Sequence, residues 1–151
     1  PLKVRKSKTK REPHFKVGDV LAVKFKANYG VIFVSDVDQS SRKIEYHLAC
    51  TRLLQADKPS MDDFLNSQIS CRKDNTNFGI DTDCWFTHKD LGLLLGDLEI
   101  IGTVELYPYK LWTLAPAHTL DDIYNKITDE PRIGGLRLID TYELVKEVIQ
   151  K

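Results

Sequence analysis

His47 stands two positions after Glu45 in the stretch Lys43-Ile44-Glu45-Tyr46-His47-Leu48-Ala49-Cys50. An imidazole beside a carboxylate is the smallest unit that works as a general base near neutral pH, because the anion favours the protonated ring. The same spacing puts both groups on the polar side of an alternating strand, and a solvated strand face accounts for them without catalysis. His14, His88 and His118 have no sequence neighbour that would orient them. Asp81, Asp83, His88 and Asp90 are spaced as in a loop that gathers oxygen ligands. A Ca²⁺ loop also needs several ligands at fixed offsets and a Gly at its sharp turn, and that pattern is missing.

Cys50, Cys71 and Cys84 are odd in number and widely separated, with no C-x-x-C or H-x-H pair. Neither a disulfide framework nor a zinc site is spelled, and buried thiols are the expectation. Arg72 beside Cys71 is too little to mark a nucleophile. No G-x-S-x-G occurs, and the glycines match neither a phosphate-binding loop nor a dinucleotide fingerprint. The chain is therefore expected not to be an enzyme, with no catalytic residue, metal ligand or cofactor assigned.

Recognition is better represented. Trp85-Phe86 and the dense run Tyr107-Pro108-Tyr109-Lys110-Leu111-Trp112 supply rings of the kind that anchor protein interfaces. Rings that stack nucleic-acid bases need basic company, and Lys110 alone favours a protein partner. Some of these rings are also expected to complete a small core. The formal net charge of zero hides an asymmetry: residues 1–11 hold six basic side chains and no acid, so the remainder carries 16 basic against 22 acidic side chains, a formal charge of −6. An acidic body is repelled by phosphate backbones and drawn to basic protein surfaces. Nucleic acid is expected to be touched only through the basic tail, residues 1–14, which reads as a disordered polar extension.

The elements that must position such groups read as one domain over residues 15–151. Phe15-Lys16-Val17-Gly18-Asp19-Val20-Leu21-Ala22-Val23-Lys24-Phe25 and Tyr29 to Val37 are rich in β-branched and aromatic residues, and Ala27-Asn28 between them predicts an antiparallel hairpin. Gly18-Asp19 has the chemistry of a turn into register, one residue free to take positive φ and the next able to bond nearby backbone. A third strand follows Gln39-Ser40-Ser41, with Ile44, Tyr46, Leu48 and Cys50 on one face; the other face is expected to meet water or a partner. Ser60 caps a short helix begun by Asp62 and Asp63. Residues 66–83 are mostly polar, Phe78-Gly79-Ile80-Asp81 and Cys84-Trp85-Phe86 read as one irregular strand or a long loop, Gly92 to Asp97 as a single helical turn, and Leu98 to Tyr107 as a strand with Gly102 at a bulge or close backbone approach. Thr119 caps a helix whose Leu120, Ile123, Tyr124 and Ile127 share one face, and Asp140 with Glu143 opens a last helix. Strands followed by helices predict an α+β fold: a curved antiparallel sheet or an SH3-like barrel, elaborated with two or three helices. No apolar run approaches the roughly 18 residues of a membrane span. With no secretory signal in the residues given, a cytoplasmic protein is expected.

Phe15-x-Val17-Gly18-Asp19-Val20-x-Ala22-Val23, followed by Tyr29-Gly30-Val31-Ile32-Phe33-Val34, resembles the opening of bacterial immunity proteins of the immunity protein 26 type, and the Ile101-Gly102 strand with a Pro-containing segment after it extends the likeness over about residues 15–130. The resemblance implies a non-enzymatic, cytoplasmic protein that binds and blocks one cognate bacterial toxin. Carboxylates on polar faces and loops (Asp36, Asp38, Glu45, Asp57, Asp62, Asp63), with Trp85, Tyr109 or Trp112, are the residues expected to meet that partner. Ribonuclease toxins of the PemK and MazF kind also open on a Gly-Asp-Val strand in an SH3-like barrel, but continue with a basic, Arg-Pro-containing segment that Tyr29-Gly30-Val31 lacks. A third alternative is an SH3-like module that holds nucleic acid through the basic tail. The sequence specifies no oligomeric state.

Overall fold

Strand β1 (Asp19–Lys24) begins where two local constraints meet. Gly18 has a φ of 94°, a region that side-chain-bearing residues avoid, and a Cβ there would run into the Val104 carbonyl. The buried Asp19 carboxylate accepts the Lys16 N–H at 2.9 Å, and the Asp19 N–H donates to the Lys16 carbonyl at 3.1 Å. The turn expected from Gly18-Asp19 is thus made by the chemistry expected of it.

The structure is a computed structural model that describes residues 12–40, 42–69, 71–73, 79–81, 84–106, 115–128, 132–133, 136–137 and 145. After β1 come β2 (Tyr29–Asp38), β3 (Glu45–Gln55), α1 (Met61–Leu65), β4 (Cys71–Lys73), β5 (Gly79–Asp81), β6 (Cys84–Thr87), α2 (His88–Gly92), a 3-10 turn (Leu95–Asp97), β7 (Leu98–Thr103), β8 (Ala115–Pro116), α3 (Leu120–Thr128), β9 (Arg132–Ile133) and β10 (Leu136–Arg137). The main sheet has the order β7-β1-β2-β3-β6-β8. Its first five strands are antiparallel neighbours, and the two-residue β8 runs parallel to β6 at the far edge. β7 and β8 lie at opposite edges, so the fold is α+β on an open antiparallel sheet, the first of the two expected forms. β4–β5 and β9–β10 are separate two-stranded ribbons.

One expectation is corrected. The sheet does not have one dry and one wet face; both faces carry buried clusters. On one side Leu21, Val23, Ile32, Val34, Tyr46, Leu48, Cys50, Cys84 and Phe86 pack with Leu91 of α2 and Ile123 and Ile127 of α3. On the other, Val20, Val31, Phe33 and Ala49 pack with Phe64 of α1, Ile69 and Val145. The reason is legible in β1, where Val20-Leu21-Ala22-Val23 is apolar without alternation, the pattern of a strand buried on both sides. The far ends of β2, β3 and β6 keep a polar face, with Asp36 and Asp38 exposed.

The short elements follow their local chemistry. The Ser60 hydroxyl accepts the Asp63 N–H at 3.1 Å and the Asp63 carboxylate accepts the Ser60 N–H at 2.9 Å, a capping box that starts α1. Phe64 then meets Phe33 edge-on, with centroids 5.7 Å apart. At α3, the Thr119 hydroxyl accepts the Asp122 N–H at 3.3 Å; Ile123 and Ile127 are buried, and Tyr124 packs edge-on against Phe25. Cys50 and Cys84 are buried thiols, as expected. The expected last helix, residues 140–149, lies outside the described residues except Val145, which is buried and donates its N–H to the Ser67 carbonyl at 2.9 Å. Among the described residues no helix is long and apolar enough to cross a membrane.

Candidate protein-binding face

The polar end of the sheet is shaped by one extra residue in β2. Val34 pairs with Leu48, but Asp36, not Ser35, pairs with His47, so Ser35 is a bulge whose hydroxyl donates to the His47 carbonyl at 3.1 Å. Strict alternation from Val34 would have turned Asp36 and Asp38 onto the core side. The bulge resets the pleat: Val37 joins Tyr46 on the core side, and Asp36 and Asp38 face outward.

Register then builds a two-row grid across three strands. Asp36 stands opposite His47, and His47 opposite Trp85; Asp38 stands opposite Glu45, and Glu45 opposite Thr87. Paired residues of an antiparallel sheet share a face, so these six side chains project from one surface about 10 Å across. Asp36 and Asp38 are exposed, and Glu45, His47, Trp85 and Thr87 are half-buried. Asp38 is a fixed carboxylate: Ser40 donates its hydroxyl at 2.7 Å and its N–H at 2.9 Å, and these bonds hold its pKa below the usual carboxylate value. Asp36 accepts the N–H of Val37 at 2.9 Å. Asp38 and Glu45 face each other as like charges, an arrangement that costs stability by itself and that an incoming cation relieves. Arg42 and Lys43 lie in the connecting turn, exposed, on the same hairpin.

The expected partner-binding residues therefore divide. Asp36, Asp38, Glu45 and Trp85 come together. Asp57, Asp62 and Asp63 lie beyond the other end of β3, roughly 30 Å along the strand. Asp57 and Asp62 are exposed, whereas Asp63 is occupied by the α1 cap and by Gln55 Nε2 at 3.2 Å; the Ser60 N–H first, and Gln55 second, lower its pKa. Tyr109 and Trp112 lie outside the described residues. Among the described residues no three His, Cys, Asp or Glu side chains converge as a metal site.

Tertiary structure also assembles groups that have no mark in the sequence. His14, Tyr46 and His88 stack on the core side of β3, with His14 and His88 centroids 3.9 Å apart and planes within 10°. The His14 N–H donates to Tyr46 Oη at 2.9 Å, Tyr46 Oη lies 2.7 Å from His88 Nδ1, and His14 Nε2 lies 3.1 Å from the His88 carbonyl. Burial raises the Tyr46 pKa, so its hydroxyl stays protonated. A second pair, His118 Nδ1 and Asp90 Oδ2 at 2.8 Å, joins the α3 approach to α2, and this bond lowers the Asp90 pKa. Gly92, four residues after His88, leaves room for this stack, since a Cβ there would meet His14 Nε2 at 3.2 Å.

Comparison with known proteins adds no relative: no family model matches the chain, and neither a curated protein nor a solved structure is detectably similar to it.

Proposed function

We propose that this chain is a non-enzymatic protein-binding domain that captures and neutralises a basic partner, a cognate bacterial toxin in the manner of an immunity protein. The observation that carries the reading is the grid of Asp36, Asp38, Glu45, His47, Trp85 and Thr87: three carboxylates on β2 and β3 that share a face with a half-buried indole on β6, over strands that pack a core on their other side. A basic surface gains charge complementarity there, and an indole supplies the apolar contact that interface anchors need. The −6 formal charge of residues 12–151 steers the same class of partner, and the opening motif resembles immunity proteins.

The test couples growth and kinetics. The protein encoded immediately upstream is expressed in a sensitive host alone and with this chain; the neighbour is expected to arrest growth and this chain to restore it. Association of the purified pair is then followed by stopped flow for the parent and for Asp36→Lys with Glu45→Lys, which is expected to slow association about tenfold or more at low salt while the unfolding midpoint holds. Unchanged association in the charge-reversed protein would remove the grid from the interface. Toxicity of this chain expressed alone would put the ribonuclease reading in its place.

A further inference from the structure

The three-ring stack behind the grid closes a circuit of hydrogen bonds whose polarity can be worked out. Tyr46 Oη accepts the His14 backbone N–H, so the proton of its own hydroxyl goes to His88 Nδ1. His88 Nδ1 is therefore an acceptor and its ring proton is on Nε2. His14 Nε2 faces a carbonyl, that of His88, and so carries a proton. Backbone of His14 to Tyr46, Tyr46 to the ring of His88, ring of His14 to the backbone of His88: each donor meets one acceptor, and Tyr46 has no exposed surface from which to recruit water.

We propose that this circuit is a proton-sensitive latch that holds the N-terminal segment against α2. A second proton on His88 occupies Nδ1. That nitrogen becomes a donor to Tyr46 Oη, which already accepts from His14, and the Tyr46 hydroxyl proton is left in a buried place without its acceptor. The charged ring also stands 3.9 Å from the His14 ring. Both effects oppose the closed form, so acidification frees His14 and the chain that leads into it. Among the described residues, the titratable and charged groups next to the latch along its three elements are Glu12 and Lys16 beside His14 on the N-terminal segment, Glu45 and His47 flanking Tyr46 on the far side of β3, and Lys89 and Asp90 after His88 on α2. Asp90 is engaged by His118. Because Tyr46 and His88 directly follow Glu45 and Thr87 in the chain, opening of the latch loosens the same strand ends that carry the grid.

Amide exchange of the full-length ¹⁵N-labelled protein tests this. The His14 amide is expected to be protected at about pH 7.5, and its protection factor, corrected for intrinsic exchange, to fall about tenfold or more by about pH 5.5, the range in which imidazoles ordinarily titrate, while Leu48 in the core keeps its protection. His88→Asn retains an acceptor near the Nδ1 position and cannot titrate; its His14 amide should stay protected at both pH values. Tyr46→Phe should leave that amide unprotected at both. His14 protection that is constant across the range in the parent, or that falls equally in His88→Asn, would overturn the latch. So would a ring-nitrogen spectrum showing the His88 proton on Nδ1 in the neutral protein.

Discussion

The Asp63 carboxylate accepts the Ser60 N–H and the Gln55 side-chain amide, so one residue starts α1 and ties it to the last residue of β3. Ser60→Ala removes the hydroxyl that accepts the Asp63 N–H and is expected to cost about 1 kcal/mol in urea unfolding. The pH dependence has a definite sign. Asp63 has a lowered pKa in the folded protein, through the Ser60 N–H first, so its contribution is complete above the ordinary carboxylate range and is lost as pH falls through the lowered value. The difference in unfolding midpoint between the parent and Asp63→Asn should be constant from neutrality to about pH 5 and shrink below about pH 4. Among residues of interest, those with local partners were readable in sequence: Ser60 as a cap, Asp19 beside Gly18. His14 and His88, 74 positions apart, were not, because no short-range rule links them.

At the scale of elements, α1 and β7 meet at Gly102, where a Cβ would overlap the Met61 side chain. The sequence expectation was a bulge or a close backbone approach at this glycine; the β1–β7 register does shift beside it, but Gly102 pairs with Val20 and the extra residue is Ile101, and the close contact is with the Met61 side chain rather than with backbone. Because the overlapping atoms are the flexible end of the half-buried Met61 side chain, Gly102→Ala is expected to destabilise the protein by only about 1 kcal/mol, the low end of overpacking. Met61→Ala should relieve part of that loss, giving a double-mutant coupling of about 0.5 kcal/mol in equilibrium unfolding. Additive losses would show that α1 tolerates the added methyl by moving away. Lys58 and Glu99, 2.9 Å apart, brace the same contact from the surface; both are well exposed, so their contribution is small.

For the whole molecule, the two buried clusters leave the ends of β2, β3 and β6 polar on one face, and the grid occupies that face. Association with a basic partner through that end should slow with salt: raising ionic strength from about 0.05 M to about 0.5 M, which shortens the Debye length to a few ångströms, is expected to reduce the association rate about tenfold in the parent. The protein carrying Asp36→Lys and Glu45→Lys should show a much weaker dependence. Equal salt slopes would assign the steering to charges elsewhere on the body.

Composition and short-range pattern by themselves determined the fold class, the first hairpin, the starts of α1 and α3, the burial of two thiols and the acidic balance of the body. These are decided by neighbours within a few residues or by sums over the chain, and both are written in the sequence. Tertiary structure alone decided that the sheet is open and carries a buried cluster on each face, that Asp36, Asp38, Glu45 and Trp85 share a surface while Asp57, Asp62 and Asp63 do not, and that His14 reaches His88. Each of these turns on register. One bulged residue at Ser35 reverses the direction of every side chain after it, and the pairing of strands distant in sequence sets which groups come within reach.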